Sequence, residues 1–257
     1  MIDINKIKYE FKRYVSNYDP KSERIKLKIS HIVRVANNCK LLAQNLNLSE
    51  EEINLAEAIG YFHDIGRFEQ VRIANTFSDR DSKINHGELG AKILFEDGLI
   101  RNFIKDSKYD KIIKTAVINH NRARIENNIS EKEMLFSKII RDADKLDILY
   151  VLTFEEFPAI FWYDDFDCEK ISDSIFEEFK NHSGITYNNI KNNADQILIF
   201  YAYIYDLYFK YTLDALKEKK YLDMFTKRVL ENFSSPILHR QMKEVEAVYK
   251  EDRKSVV

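Results

Sequence analysis

The sequence predicts an all-α protein. Apolar residues return at helical spacing in one segment after another, capping boxes stand at Ser49 and Ser130, and no strand pattern of weight, repeat or low-complexity tract interrupts them. Glycine (6) and proline (3) leave few breaks in 257 residues, enough length for one large core, so a single unit over 1–257 is expected.

Ile4, Ile7, Phe11 and Val15 give an amphipathic helix over 3–17 that stops before Asp19-Pro20. From Ser22 to Leu46 the set Ile25, Ile29, Ile32, Val33, Ala36, Leu41 and Leu42 keeps period 3.6, with His31 near the margin of that stripe. Ser49-Glu50-Glu51-Glu52 opens a third helix, turning Ile53, Ala56, Ile59 and Phe62 inward, and Gly66 is expected to close it. Residues 67–84 are polar and without clear period, which reads as a loop running over the site. Helical spacing resumes at His86, with small residues at 87, 90 and 91 that would let backbones approach closely, and ends at Asp97-Gly98. Ile112, Ile113, Ala116 and Val117 mark a helix with His120 at its C-terminal end. Ser130-Glu131-Lys132-Glu133 opens another, through Leu135, Ile139, Ala143, Leu146 and Leu149, with Asp144 in its middle. After Thr153 aromatic residues gather around Pro158 and Asp164-Asp165, and helices are expected at 171–180, at 192–218, at 220–232 and from Pro236.

Composition excludes several functions. Lys+Arg (40) and Asp+Glu (42) balance, so no basic excess points to nucleic acid. The longest apolar run, Ile197 to Tyr205, falls far short of the ~20 residues of a membrane span. The N-terminus lacks the pattern of a signal peptide, which implies a cytoplasmic protein with Cys39 and Cys168 as reduced, buried thiols.

Gly60-Tyr61-Phe62-His63-Asp64-Ile65-Gly66-Arg67-Phe68 sets an imidazole beside a carboxylate at the end of an apolar helical run. Adjacent helical positions diverge by about 100°, so both side chains converge only on something central between helices, and a metal ion satisfies that. His31 upstream and His86, His120 and Asp144 downstream fall in helices or at helix ends. Six nitrogen and oxygen donors on five segments point to a metal site.

The order His31, His63-Asp64, His86, His120, Asp144 resembles the HD superfamily of metal-dependent phosphohydrolases over roughly residues 20–150. His31-Ile32-Val33-Arg34-Val35 is similar to the family's first-histidine helix, Phe62-His63-Asp64-Ile65-Gly66-Arg67 to its signature, and Arg141-Asp142-Ala143-Asp144-Lys145-Leu146-Asp147 to its last-carboxylate helix. The resemblance implies an HD-domain helical bundle in which His31, His63, Asp64 and Asp144 hold one ion. His86 and His120 complete a second site, Asp64 and a hydroxide bridging two ions about 3.5–4 Å apart. It also implies two divalent ions (Mn, Fe, Co, Ni, Zn or Mg), with the hydroxide as nucleophile on a small phosphorylated substrate such as a nucleotide. Residues 151–257 are expected to be helices packed on this core, lining or covering the entrance with Phe157, Phe161 and Trp162 nearby.

Arg67 resembles the basic residue that HD phosphodiesterases place against a phosphate, and Lys145 is weighed in the same role; both are candidates for catalysis and substrate contact, with His86 and His120 also beside the substrate. Asp147, one turn beyond Asp144, reads as an exposed helical acid, with support of a neighbouring ligand as the alternative. His182 and His239 match nothing and read as structural or surface residues, and the tyrosines at 201, 203, 205, 208 and 211 as packing. Some HD proteins hold a di-iron pair on the same six ligands and activate dioxygen, and a non-catalytic regulatory module is a third possibility. The glycine-tyrosine-proline signature of cyclic-dinucleotide enzymes is absent around Asn119-His120-Asn121-Arg122.

Overall fold

Side chains at the helix ends set most of the boundaries. Asp3 accepts the Lys6 N–H at 3.1 Å and opens α1 (Ile4–Val15); Ser22 does the same for Ile25 at 3.4 Å and opens α2 (Glu23–Asn45). The Ser49/Glu52 capping box starts α3 (Glu50–Phe62). The computed structural model describes residues 2–157, 160, 168–182, 184–185 and 187–255, and no strand occurs among them. The protein is all-α.

The chain divides into two compact units, Met1–Asp147 and Ile148–Val257. In the first, α3 does not run on to Gly66. It stops at Phe62, Asp64 leaves helical geometry (φ −107°, ψ 16°), and α4 (Ile65–Ala74) begins at once with Gly66 inside it. The loop expected over 67–84 is therefore mostly helix. Its polar residues hid the period because Arg67 and Gln70 bond to Asp79 on the following segment and Glu69 accepts from Tyr18. Asn75 (φ 52°) and Lys83 (φ 58°), both left-handed, end α4 and the short α5 (Asp79–Ser82).

Asn85 caps α6 (His86–Ala91), which continues as a π-helical turn, Lys92–Glu96; α7 (Ile100–Phe103) and α8 (Asp110–Asn119) follow. The second capping box is formed, Ser130 N–H donating to Glu133 at 3.0 Å and Glu133 N–H to the Ser130 hydroxyl at 3.3 Å, and it opens α9 (Glu131–Phe154). α3 packs on α2, α1 and α8, and α6 lies between α4 and α8. Phe11, Ile32, Leu42, Leu55, Phe62, Phe68 and Phe136 fill the interior.

In the second unit α10 (Asp173–Lys180), α11 (Asn193–Ala202), α12 (Lys210–Lys219), α13 (Tyr221–Asn232) and α14 (Pro236–Ser255) form the frame. The single helix expected over 192–218 is broken. A 3-10 turn, Tyr203–Asp206, and extended backbone at Leu207 and Phe209 divide it, where bulky aromatic residues favour extended geometry. Tyr201 and Tyr249 are core residues, their hydroxyls bonded to Thr226 and Asp223, both at 2.7 Å. Phe161 and Trp162 lie outside the described residues. No helix among those described is long and apolar enough to cross a membrane.

Two glycines let the helices that carry the histidines meet. A Cβ on Gly60 would sit 2.4 Å from the Ala36 Cα of α2, and one on Gly66 would sit 2.2 Å from the His86 carbonyl and 2.6 Å from the Gly90 nitrogen. Backbone cannot yield as a flexible side chain would. Gly66→Ala should therefore separate α4 from α6 and destabilise the protein by about 3 kcal/mol, read as a lowered denaturant midpoint; an unchanged midpoint would show that the contact is not a constraint.

Candidate metal centre

The break between α3 and α4 creates the centre. His63 completes α3 by donating its backbone N–H to Ile59 at 2.9 Å, and its ring Nδ1 lies 2.7 Å from the Gly60 carbonyl. A carbonyl only accepts, so Nδ1 carries the proton and Nε2 presents its lone pair. That Nε2 is buried and has no hydrogen-bond partner among the described residues. Buried polar atoms of this kind call for an explanation.

The other histidines are fixed by the same device. His31 Nδ1 is 2.7 Å from an Asp147 carboxylate oxygen, His86 Nδ1 is 2.7 Å from Asp79, and His120 Nδ1 is 2.6 Å from the Val117 carbonyl. Each outer partner turns Nε2 inward. His31 Nε2 lies 3.1 Å from Asp144 Oδ1 and 3.7 Å from Asp64 Oδ2; His63 Nε2 lies 3.6 Å from Asp64 Oδ2 and 3.7 Å from Asp144 Oδ1. On the other side, Asp64 Oδ1 is 3.3 Å from His86 Nε2 and 3.5 Å from His120 Nε2. The centre thus has two half-sites, His31/His63/Asp144 and His86/His120, and Asp64 turns a different oxygen to each.

His86 Nε2 and His120 Nε2 are 2.9 Å apart. With both Nδ1 atoms protonated toward oxygens, two lone pairs face each other across that distance, an arrangement that a bound metal ion or a shared proton stabilises. The donors fit divalent metal: His31, His63 and Asp64 form one group able to hold an ion, and Asp64, His86 and His120 a second.

Electrostatics keep Asp64, Asp144 and His86 in ligating form. Burial opposes the charges of Asp64 and Asp144, but Lys28, His63 and Arg67 around Asp64, and His31 and His63 beside Asp144, hold both well below the usual carboxylate range. Burial, followed by the Arg67 charge, pushes the His86 imidazole down to about 3. His31 shifts the opposite way: burial and Lys28 disfavour its charge, but the hydrogen bonds it donates to Asp144 and Asp147 outweigh them and raise its pKa. A metal at the first half-site therefore competes with a proton on His31.

Residues 29–149 match the family model described as HD domain. This part of the chain is an HD domain. Such domains bind divalent metals and are typical of metal-dependent phosphohydrolases. No curated protein and no solved structure matches the chain. All six ligands expected of the HD domain are brought together, His86 and His120 included.

The other expected site residues fare differently. Arg67 Nε is 3.6 Å from Asp64 Oδ1, while its Nη1 bonds to the Phe77 carbonyl, to Gln70 at 3.0 Å and to Asp79 at 2.9 Å. Lys145 is buried on α9, about 100° around the axis from Asp144. Asp147 is not an exposed acid: at 2% exposure it holds His31 and is itself held by Arg34 Nε at 2.7 Å. Its i,i+3 spacing from Asp144 carried that signal.

Sequence reasoning missed Asp79, which gathers Arg67, Gln70, His86 and Asn121. It also missed Lys28, one turn before His31, donating to Asp64 Oδ2 at 2.8 Å. Arg141 was read only as part of the last-carboxylate helix; its guanidinium bonds to the Asn119 and Arg122 carbonyls on either side of His120. His239 Nε2 is bonded to the Phe233 carbonyl, a structural role.

Outer partners of metal-bound histidines are commonly worth about 10- to 100-fold in metal affinity. Asp147→Asn should weaken manganese binding by that factor at one half-site and leave the other unchanged, as a calorimetric titration would resolve; equal affinities at both would contradict the role given to Asp147. His86 also makes a pH prediction. It binds a proton below about 6.5 when unfolded but only near 3 when folded, so its stabilising contribution is complete above about 6.5 and declines as pH falls toward 3. Melting curves across that range should lose part of their slope in His86→Gln, and an identical slope would refute the assignment.

Proposed function

We propose that the HD domain is a binuclear metal-dependent phosphohydrolase acting on a phosphate ester, a nucleotide or another small phosphorylated molecule. One observation carries this reading: Asp64 presents Oδ2 to the His31/His63 side and Oδ1 to the His86/His120 side. A carboxylate used in this way is a bridging ligand, and the donor set suits Mn, Fe, Co, Ni, Zn or Mg. Two ions held by these residues would supply an acidified water and neutralise charge on a phosphoryl group.

The chain's own residues supply orientation. The four histidines are locked by their outer partners, so the donors need little rearrangement to coordinate. Arg67 is anchored through Nη1, which leaves its Nε edge beside Asp64 and, among the described residues, without a hydrogen-bond partner. That is the edge with which a guanidinium takes two oxygens of a phosphate. Arg67 also ties the segment before α5 to Asp79, and through it to His86.

Anaerobically purified protein should contain two equivalents of transition metal and hydrolyse phosphate esters in a substrate screen, and Asp64→Ala should lose both ions and all turnover. One equivalent in fully active protein, with His86→Ala and His120→Ala indifferent, would replace the binuclear reading by a mononuclear one. Dioxygen uptake without ester hydrolysis would replace it by the di-iron oxygenase reading, and bound metal with neither reaction by a non-catalytic module. In the same assay Arg67→Ala should reduce kcat/KM about ten- to a hundredfold, the loss of one charge-assisted contact of roughly 1.5–3 kcal/mol, with metal retained. Arg67→Lys should recover only part. Unchanged efficiency in the alanine variant would leave Arg67 with its anchoring role alone.

A further inference from the structure

Lys28 reaches the shared carboxylate from the helix that carries His31. It lies on α2 one turn before His31, and its Nζ donates to Asp64 Oδ2 at 2.8 Å, the oxygen that faces His31 and His63. Asp64 is its one hydrogen-bond partner among the described residues, so an ammonium with three donor protons uses one of them. Its side chain is 18% exposed, against 4% for Asp64, and Nζ lies 5.4 Å from the ring centroid of the half-buried Phe77. The lysine therefore sits beside the buried carboxylate with part of its side chain open to solvent.

Electrostatics argue that this cation has a second partner. A lysine whose only purpose was to neutralise Asp64 would work against the centre, because it sets a positive charge beside a ligand that must attract metal cations. An anion that approaches the ligand group from solvent would remove the conflict, since it would meet the ammonium together with any ions held by the ligands. Arg67 occupies the corresponding place on the other side, 3.6 Å from Asp64 Oδ1 and likewise 18% exposed. The two cations bracket the shared carboxylate, one at each oxygen.

We propose that Lys28 is a substrate-contacting residue, its ammonium binding a phosphoryl oxygen of the substrate while it keeps its hydrogen bond to Asp64. With Arg67 it forms a two-sided clamp, and the substrate class it selects is a terminal phosphoryl dianion, a phosphomonoester, over a singly charged diester. This deepens the phosphohydrolase reading and rests on it.

The test uses manganese-loaded full-length protein and inorganic phosphate as the probe, with phosphate affinity measured by calorimetry and metal by elemental analysis. Lys28→Gln keeps a donor for Asp64 and removes the charge; it should retain manganese, bind phosphate about ten- to a hundredfold more weakly and raise KM for a phosphomonoester more than for a diester. Lys28→Arg should recover part of the affinity. Phosphate binding by Lys28→Gln equal to that of the unmodified protein, at equal manganese content, overturns the proposal, and so does an equal loss on monoester and diester. Either result leaves the phosphohydrolase reading standing if the unmodified protein hydrolyses esters. Unmodified, manganese-loaded protein that neither binds phosphate nor turns over any ester removes that reading and the proposal with it.

Discussion

A single carboxylate governs the first unit. Asp64 is 3% exposed, faces four imidazole Nε2 atoms and two cationic side chains, and keeps its charge against burial only because those partners surround it. An isolated buried carboxylate would be neutralised or expelled. The fold must therefore deliver groups from α2, α6, the end of α8 and α9 to one point between helices. The tight spots are where that delivery is forced. Gly60 lets α3 close on α2, Gly66 lets α4 close on α6, and the non-helical Asp64 between them turns the carboxylate off the helix path.

Around the donors lies a layer that fixes ring orientation. Asp147 with Arg34, the Gly60 carbonyl, Asp79 with Gln70 and Asn121, and the Val117 carbonyl each take one imidazole Nδ1 or support the group that does. Arg141 adds a further restraint through carbonyls on either side of His120. A histidine held in this way has one nitrogen left and one direction for it. The orientation of the half-sites is thus decided by groups that need not themselves touch a ligand.

The parts of this arrangement that depend on local spacing could be read from the sequence. The capping boxes at Ser49 and Ser130 and the small residues of α6 follow from neighbours three and four positions apart, and the structure bears them out; the stripe of α2 holds at Ile25, Ile32, Ala36 and Leu42, while Val33 and Leu41 are exposed and Val35, Cys39 and Ala43 are buried in their place. The six candidate ligands were legible because their order and local context match a family pattern. What local spacing cannot carry was misread. The polar run at 67–84 hides α4 because its side chains bond across to other segments, and Asp79 has no sequence signature that ties it to His86. For Asp147 spacing offered both a surface acid and a support for a neighbouring ligand, and only burial, which depends on Arg34 and His31 arriving from α2, decides for the second. The break inside 192–218 was missed because aromatic residues continue the apolar pattern while favouring a different backbone.

The central claim is that Asp64 serves two half-sites at once, and magnetic resonance of manganese-loaded protein reads that sharing directly. Electron paramagnetic resonance should show the spectrum of a spin-coupled manganese pair in the unmodified protein, and that signal should vanish in Asp64→Ala. A spectrum of isolated manganese at every loading, or a coupled pair that survives the loss of Asp64, would contradict the account.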